Sequence, residues 1–168
     1  MIKGKRIWLR KIVSSDLDIL LDWENNQLHH QFSDSPSFYS KQIMESFVNS
    51  TQDLFVNNQL RLMIDFEGDV VGCVDLFDFD PFHLRAGVGI LIDSKYRKKG
   101  LAKESILLLE DYVFKNLGIN QLHCKISISN KISIALFESC GYHESGRLKS
   151  WLKTKHLFED VLIYQKLS

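Results

Sequence analysis

An apolar segment, a short basic loop and a long amphipathic segment follow one another in the second half of this chain. They are residues 88–92, 97–102 and 101–117. This order predicts a strand that leads through a loop into the N-terminus of a helix.

The basic loop is a candidate phosphate-binding site. A helix N-terminus presents unpaired backbone N–H groups and the positive end of the helix dipole, and anions bind there readily. Gly100 tolerates a positive φ and lets the backbone approach a ligand, and Arg97, Lys98 and Lys99 add positive charge. A solvated turn is the alternative interpretation. The G-x-G-x-x-G fingerprint and the P-loop motif are both absent.

The balance of positive and negative charges indicates which classes of binding partner are not expected. The 168 residues include 21 basic and 21 acidic side chains, so the formal net charge is zero. Nucleic acids and anionic membranes both favour a basic excess, and neither is expected as a partner. The length predicts one domain over residues 1–168. Without a secretory signal or an apolar run of about 20 residues, the cytoplasm is the expected compartment.

The cysteines and histidines do not indicate a metal site. Cys73, Cys124 and Cys140 are odd in number and lie in apolar segments, which predicts buried free thiols. No Cys/His spacing is typical of zinc ligation. His29 and His30 are adjacent, and neighbouring residues of a helix do not share a face.

Hydrophobic periodicity predicts the element order β-α-α-β-β-β-α-β-α-β-β. Helices are expected after a cap at Ser14 or Ser15, after a cap at Ser40, and over residues 101–117 and 130–140, and strands over 7–12, 60–66, 70–79, 84–92, 122–126, 142–152 and 158–167. Gly118 and Gly141 are placed to end the last two helices. The order predicts an α+β or α/β domain with a mostly antiparallel sheet and one parallel step across the 101–117 helix.

Two motifs within this order resemble those of the GNAT acetyltransferases. They are Arg97-x-x-Gly100-x-Ala102 and Asn130-Lys131-x-Ser133-x-x-Leu136-Phe137-x-x-Cys140-Gly141-Tyr142. The start, Trp8-Leu9-Arg10, and the end, Phe158-Glu159-Asp160, are similar to the branch of ribosomal-protein N-terminal acetyltransferases and spermidine acetyltransferases. The resemblance implies the GNAT acyl-CoA acyltransferase fold, a mixed, mostly antiparallel central sheet flanked by helices.

The resemblance implies acetyl-CoA as the donor and no metal. The diphosphate would lie on the loop, and the pantetheine arm along the preceding strand, with the thioester carbonyl against a backbone N–H near Leu91 or Ile92. The residues assigned to the cofactor are Ile90, Leu91, Ile92, Arg97, Lys98, Lys99, Gly100, Leu101, Ala102, Lys103, Asn130, Ser133 and Phe137. Asn130 would donate to the arm or to an active-site water, and Ser133 and Phe137 would line it. Alternatively, Asn130 only caps its helix, Ser133 is a first-turn polar residue, and Ile90 and Ile92 are core.

The chain departs from the family at both expected acid–base positions. Phe137 stands where many relatives have a tyrosine that donates a proton, and Gly87 stands where relatives with a spermidine site often have a glutamate. A phenylalanine cannot donate a proton and a glycine cannot accept one. The resemblance therefore leaves both proton transfers unassigned.

Other residues are candidates for the two missing roles. Asp75 or Asp78 is a candidate base acting through a water, and Tyr142 or Tyr164 is a candidate acid. Alternatively, positioning and the backbone N–H donor alone carry the reaction. Each group also has a purely structural interpretation. The aspartates would form a solvated strand end that includes Asp80, and the tyrosines would be core side chains with paired hydroxyls.

The expected acceptor is a primary amine, either the α-amine of a peptide or protein or that of a small molecule. In residues 31–36 only Asp34 is acidic, whereas spermidine-acetylating relatives are rich in glutamate there, which disfavours a polycation. Two interpretations are open for four aromatic and histidine residues near this segment, which either line the acceptor cleft or are loop surface and core anchors. They are His29, His30, Phe32 and Phe38. The alternatives are a spermidine or polyamine acetyltransferase, a longer acyl donor or O-acceptor, and an acyl-CoA-binding module that has lost catalysis. A homodimer is compatible with the resemblance, although no residue locates an interface.

Overall fold

A computed structural model describes residues 1–26, 38–154 and 157–168, which form an eight-stranded sheet in the order β1-β2-β3-β4-β5-β6-β8-β7. The strands are β1 (Ile2–Lys3), β2 (Ile7–Lys11), β3 (Leu60–Phe66), β4 (Asp69–Asp80), β5 (Arg85–Ile92), β6 (Gln121–Ser127), β7 (His143–Lys153) and β8 (Phe158–Leu167). The helices are α1 (Leu17–Asn25), α2 (Lys41–Val48), α3 (Leu54–Asn57), α4 (Leu101–Asn116) and α5 (Lys131–Ser139). Short 3-10 turns occupy Ser14–Asp16 and Ser94–Tyr96.

The sheet is antiparallel except at one step. Strands β5 and β6 run parallel, and α4 connects them. Every other neighbouring pair among the described strands is antiparallel. The predicted mixed sheet with one parallel step across the 101–117 segment is therefore confirmed.

Alternation along the central strands divides the core into two layers. Ile64 of β3, Val74 of β4 and Val88 of β5 face the layer that contains α4 and α5. Met63 and Cys73, one residue out of phase, face a second layer with Trp23 of α1 and Met44 of α2. Successive strand residues point to opposite faces, so β3 and β4 are apolar on both sides. We call the second surface the α1 face of the sheet.

The start of α1 differs from the prediction. Neither Ser14 nor Ser15 caps it, because residues 14–16 form a 3-10 turn and the helix begins at Leu17. The buried Asp16 holds this turn: its carboxylate accepts from the Val13 backbone N–H at 2.8 Å and from Arg10 at 2.7 and 2.8 Å. The predicted cap at Ser40 is confirmed, since its hydroxyl accepts from the Ile43 N–H at 3.3 Å.

Some smaller features of the structure agree with the sequence predictions, and others differ from them. Strand β1 and helix α3 were not predicted, because two and four residues carry too little periodicity. Cys73, Cys124 and Cys140 are buried and free, as expected. In the described residues, none of the helices has the length and apolar character needed to cross a membrane.

Candidate functional site

Strands β5 and β6 part soon after they begin to pair. They are partners at three positions, which are Arg85 with Gln121, Ala86 with Leu122 and Gly87 with His123. From there β5 continues along β4 as far as Ile92, and β6 continues along β8 as far as Ser127. The second half of β5 therefore has a strand partner on one side only. Alternate N–H and C=O groups of residues 88–92 face the opening, as they would at a sheet edge.

The basic loop lies at the end of this open strand. Gly100 has a φ of +78°, in the left-handed region, and is the N-cap of α4 without a side-chain capping bond. Arg97 Nε donates to the carbonyl oxygen of Ile92 at 3.1 Å, and Arg6 Nη1 donates to that of Lys99 at 3.2 Å. The two arginines thus engage one carbonyl before the loop and one within it. In the part of the chain that the structure describes, no side chain caps the first N–H groups of α4, and this arrangement suits an anion.

A second contact of Arg6 braces the first turn of α4. Glu104 accepts from the Arg6 backbone N–H and from Arg6 Nε, both at 2.7 Å. The pairing neutralises a carboxylate that would otherwise lie beside the loop. Sequence analysis did not identify Arg6, because 98 residues separate it from Glu104 and no local pattern connects them.

The N-terminus of α5 follows shortly after the end of β6. Asn130 Oδ1 accepts from the Ser133 N–H at 3.1 Å, so Asn130 caps this helix. The cap occupies the amide oxygen and leaves the amide NH₂ group for another acceptor. Phe137 is only 4% exposed and packs edge-on against Tyr142, with ring centroids 5.0 Å apart.

The three predicted catalytic residues do not meet at one point. Asp75 lies on the α1 face and is held by Arg61, at 2.6 Å from Nε and 3.0 Å from Nη2. Arg61 also pairs with Glu24 at 2.5 Å. Asp78 is exposed in an irregular segment of β4, with a φ of +49°. Tyr142 is 1% exposed and belongs to the core layer of α4 and α5.

Both candidate tyrosines are poor proton donors in this fold. Burial and the nearby Glu110 carboxylate raise the pKa of Tyr142 far above its usual range. Burial and the hydrogen bond from its hydroxyl to Glu138 raise the pKa of Tyr164 to about 12. Both phenols pack in the core, as their structural interpretation expects. The Tyr164 hydroxyl is paired as well, whereas the buried Tyr142 hydroxyl has no hydrogen-bond partner among the described residues.

His123 is a residue of this region that sequence analysis missed. Phe77, Gly87 and His123 are partners in register across β4, β5 and β6, and such partners point to the same face. A Cβ on Gly87 would lie 2.4 Å from the Phe77 ring, so this ring fills the space above the glycine. The ring centroids of Phe77 and His123 are 6.5 Å apart. In the sequence, a single histidine that alternates with apolar residues is typical of the solvated side of a strand. The pattern therefore did not indicate a functional residue.

Some predicted acceptor residues lie outside the described residues. They are His29, His30, Phe32 and the segment 31–36. Phe38 is described and is 70% exposed. Among the described residues, no group of three or more His, Cys, Asp and Glu side chains is placed to hold a metal ion.

Comparison with known proteins gives a consistent family match. Residues 6–143 match the family model of the acetyltransferase (GNAT) domain. The spermidine N(1)-acetyltransferase of Vibrio cholerae is 24% identical, over 94% of this chain and 91% of its own length. The crystal structure of the spermidine N-acetyltransferase from that organism with CoA and spermine has a TM-score of 0.90 at 22% identity, covering 98% and 96% of the two chains. RimL, a ribosomal L7/L12 α-N-protein acetyltransferase in complex with CoA, has a TM-score of 0.86 at 17% identity, covering 99% and 96%.

Proposed function

The chain belongs to the GNAT acetyltransferase family, and from this premise we propose that it transfers the acetyl group of acetyl-CoA directly to a primary amine. The observation that carries the proposal is the opening between β5 and β6. It continues along one strand to the basic loop at Gly100, so a long ligand with a diphosphate at one end fits it.

The open edge of β5 fits the pantetheine arm of the donor. The arm carries amide groups, which would pair with the backbone of Ile90, Leu91 and Ile92 as an added strand does. The diphosphate would then meet the backbone N–H groups of the loop and the first turn of α4. The residues proposed for it are Arg97, Lys98, Lys99, Gly100, Leu101, Ala102 and Lys103. Across the opening, the amide NH₂ of Asn130 would donate to the arm, and Ser133 and Phe137 would line it.

The reactive end of the donor belongs at the innermost part of the opening. The strands part after Gly87, so an arm that runs inward from the loop reaches the strand beside residues 88–90. Acetyl-CoA supplies an activated thioester carbonyl there. A backbone N–H of β5, in this stretch or at Leu91 or Ile92, would donate to the carbonyl oxygen as negative charge develops on it.

The α1 face would receive the acceptor. Asp75 and Glu24 together carry one more negative charge than the Arg61 that they share, and this excess favours an ammonium group. We assign Asp75 this orienting role, because both of its carboxylate oxygens already accept hydrogen bonds from Arg61. Asp78 remains accessible to water. Tyr142 has no part in the proposed site, because it is enclosed in the core.

The proposed acceptor is the α-amine of a peptide or protein, or a small amine. Spermidine or another polyamine is an alternative, since a relative is named for that substrate. A second alternative, an acyl-CoA-binding module without catalysis, is favoured by Phe137 and Gly87, which remove both expected acid–base groups.

A calorimetric titration of acetyl-CoA tests the donor site alone. We expect wild-type protein to bind and Gly100→Asp to lose binding, because the variant places a carboxylate at the diphosphate. Gly100→Ala separates charge from backbone strain, since its Cβ would meet only Arg6 Nη2, at 3.5 Å. Gly118→Asp is a matched control: it adds the same group at a positive φ of +64° at the other end of α4, with no atom within 4 Å of the new Cβ.

The outcomes distinguish the proposals. Binding that survives in Gly100→Asp contradicts the loop assignment. Binding without CoA release from any amine in a panel of peptides, small amines and polyamines favours the binding module. Turnover of one class, followed by the mass of the acetylated product, identifies the acceptor.

A further inference from the structure

His123 lies at the last position where β5 and β6 pair, opposite Gly87. Its side chain is on the α1 face with Phe77, and β5 contributes no side chain beside it, because its partner there is a glycine. The imidazole therefore stands next to the innermost part of the opening. We propose that His123 is the base that removes a proton from the acceptor amine, an assignment that rests on the proposed acetyl transfer.

The surroundings of His123 keep its imidazole neutral. Burial lowers its pKa below 6.5, and the positive charges of Lys125 on β6 and Arg85 on β5 act in the same direction. Asp78 on β4 and the backbone of Ala86 on β5 oppose them, and the facing residue of β8 is the uncharged Gln165. A neutral imidazole has one ring nitrogen with a free lone pair, which can accept a proton at physiological pH.

The other candidates in this region lack that combination of access and a free lone pair. Both carboxylate oxygens of Asp75 accept from Arg61. The hydroxyl of Tyr142 is enclosed between core residues. Asp78 is exposed and acts on His123 through its charge, which favours the imidazolium that forms when a proton is taken up.

The proposed step balances without another reactant. An acceptor ammonium passes its first proton to the free ring nitrogen of His123. The amine nitrogen then bonds to the acetyl carbonyl carbon as the carbon–sulfur bond breaks. The second proton leaves this nitrogen for the departing sulfur, which becomes the CoA thiol, and His123 returns its proton to water. The products are an amide, a thiol and one proton.

This base favours one class of acceptor. An α-ammonium has a pKa of about 7.7–8, whereas a lysine-type or polyamine ammonium has a pKa near about 10.4. Proton transfer to an imidazole with a pKa below 6.5 is far less unfavourable from the first group. A His123 base therefore favours the α-amines of peptides or small molecules as the acceptor.

The test compares His123→Gln with the wild type on a peptide α-amine. We expect kcat/KM to fall on the order of 10²-fold near neutral pH, with the affinity for acetyl-CoA and the melting temperature unchanged. Wild-type kcat/KM should rise through a pKa below 6.5 and then level. In His123→Gln it should keep rising to the pKa of the amine itself, so the two activities converge at high pH. His143→Gln, an exposed histidine of β7, is the matched control.

Three results would overturn the assignment. The first is a variant with wild-type kcat/KM and pH profile. The second is a loss of acetyl-CoA affinity in step with the loss of turnover, which would make His123 a structural residue. The third is a wild type that binds acetyl-CoA but acetylates no amine, which removes the proposed transfer itself. The third result separates failure of the proposed acetyl transfer from failure of the His123 assignment, because it is seen with the wild-type protein alone.

Discussion

Gly87 and Gly89 occupy equivalent positions on one strand but have different surroundings. A Cβ on Gly87 would lie 2.4 Å from Phe77, whereas one on Gly89 would lie 3.6 Å from that ring, an ordinary contact. Only the first position requires the absence of a side chain. The absence of a side chain at Gly87 thus lets the Phe77 ring lie over the glycine, edge-on to His123 at the proposed acceptor cleft.

We predict that Gly87→Ala destabilises the fold by about 1–3 kcal/mol, because Phe77 must move. Gly89→Ala should be neutral or stabilise by up to about 1 kcal/mol, since alanine restricts the unfolded chain. Urea unfolding of the two variants measures the difference. Equal destabilisation by both would contradict the packing of Phe77 over Gly87.

Some single residues are predictable from sequence and others are not. Asn130 precedes an amphipathic run, and a local rule for helix caps gave as an alternative the capping role that the structure shows. His123 has no local rule, because its importance comes from the point at which two strands separate. That point depends on pairing between segments that lie more than thirty residues apart in the chain.

The loop and the first turn of α4 form one element with the distant N-terminal segment. Arg6 holds the Lys99 carbonyl and both carboxylate oxygens of Glu104 through its backbone and side chain. This exposed pair adds at most about 1 kcal/mol to stability. Its effect on an anion at Gly100 is separate from this, because an unpaired Glu104 repels the anion.

Arg6→Ala should therefore weaken acetyl-CoA binding several-fold with little change in melting temperature. Adding Glu104→Gln to this variant should restore most of the affinity, because the unpaired carboxylate is gone. Titration calorimetry of the single and double variants measures both effects. Arg147→Ala serves as the control, since Arg147 makes a comparably exposed pair with Asp160 on the β7–β8 hairpin. An equal loss of affinity in the control would refute the role of Arg6.

Long periodic segments account for the elements that sequence analysis identified. Strands β3, β4 and β5 and helix α4 carry enough alternation or helical spacing to be recognised alone. The start of α1 was wrong because the buried Asp16, tied to Arg10, outweighs the local capping preference of Ser14 and Ser15. Tertiary ion pairs of this kind cannot be read from a local window.

At the scale of the whole molecule, one partly buried ion pair joins three elements. Lys166 of β8 donates to Glu110 of α4 at 2.5 Å and to the carbonyl of Cys140, just after α5, at 2.7 Å. Burial raises the pKa of Glu110, and Lys166 opposes that shift. The C-terminal strand is thus tied to both helices of the larger core layer.

Lys166→Met should destabilise the fold by about 3–5 kcal/mol at neutral pH, because Glu110 becomes an unpaired buried charge. A raised carboxyl pKa in the folded state means that stability is lost as the pH rises through it. The penalty should therefore be smaller at pH 5 than at pH 7, and smaller again with Glu110→Gln added. Thermal unfolding at the two pH values measures this, and a penalty independent of pH would be inconsistent with a charged Glu110.

The short seam between β5 and β6 also divides the molecule mechanically. Strands β1–β5 come from residues 1–92 and β6–β8 from residues 121–168, so each half of the sheet is built from one contiguous stretch of chain. Their direct pairing covers three positions, and α4 spans the join. A donor bound in the gap would contact both halves of the sheet and so hold them together. Under the proposed function, binding of acetyl-CoA would contribute part of the stability of the folded protein. This contribution would rise with the concentration of acetyl-CoA.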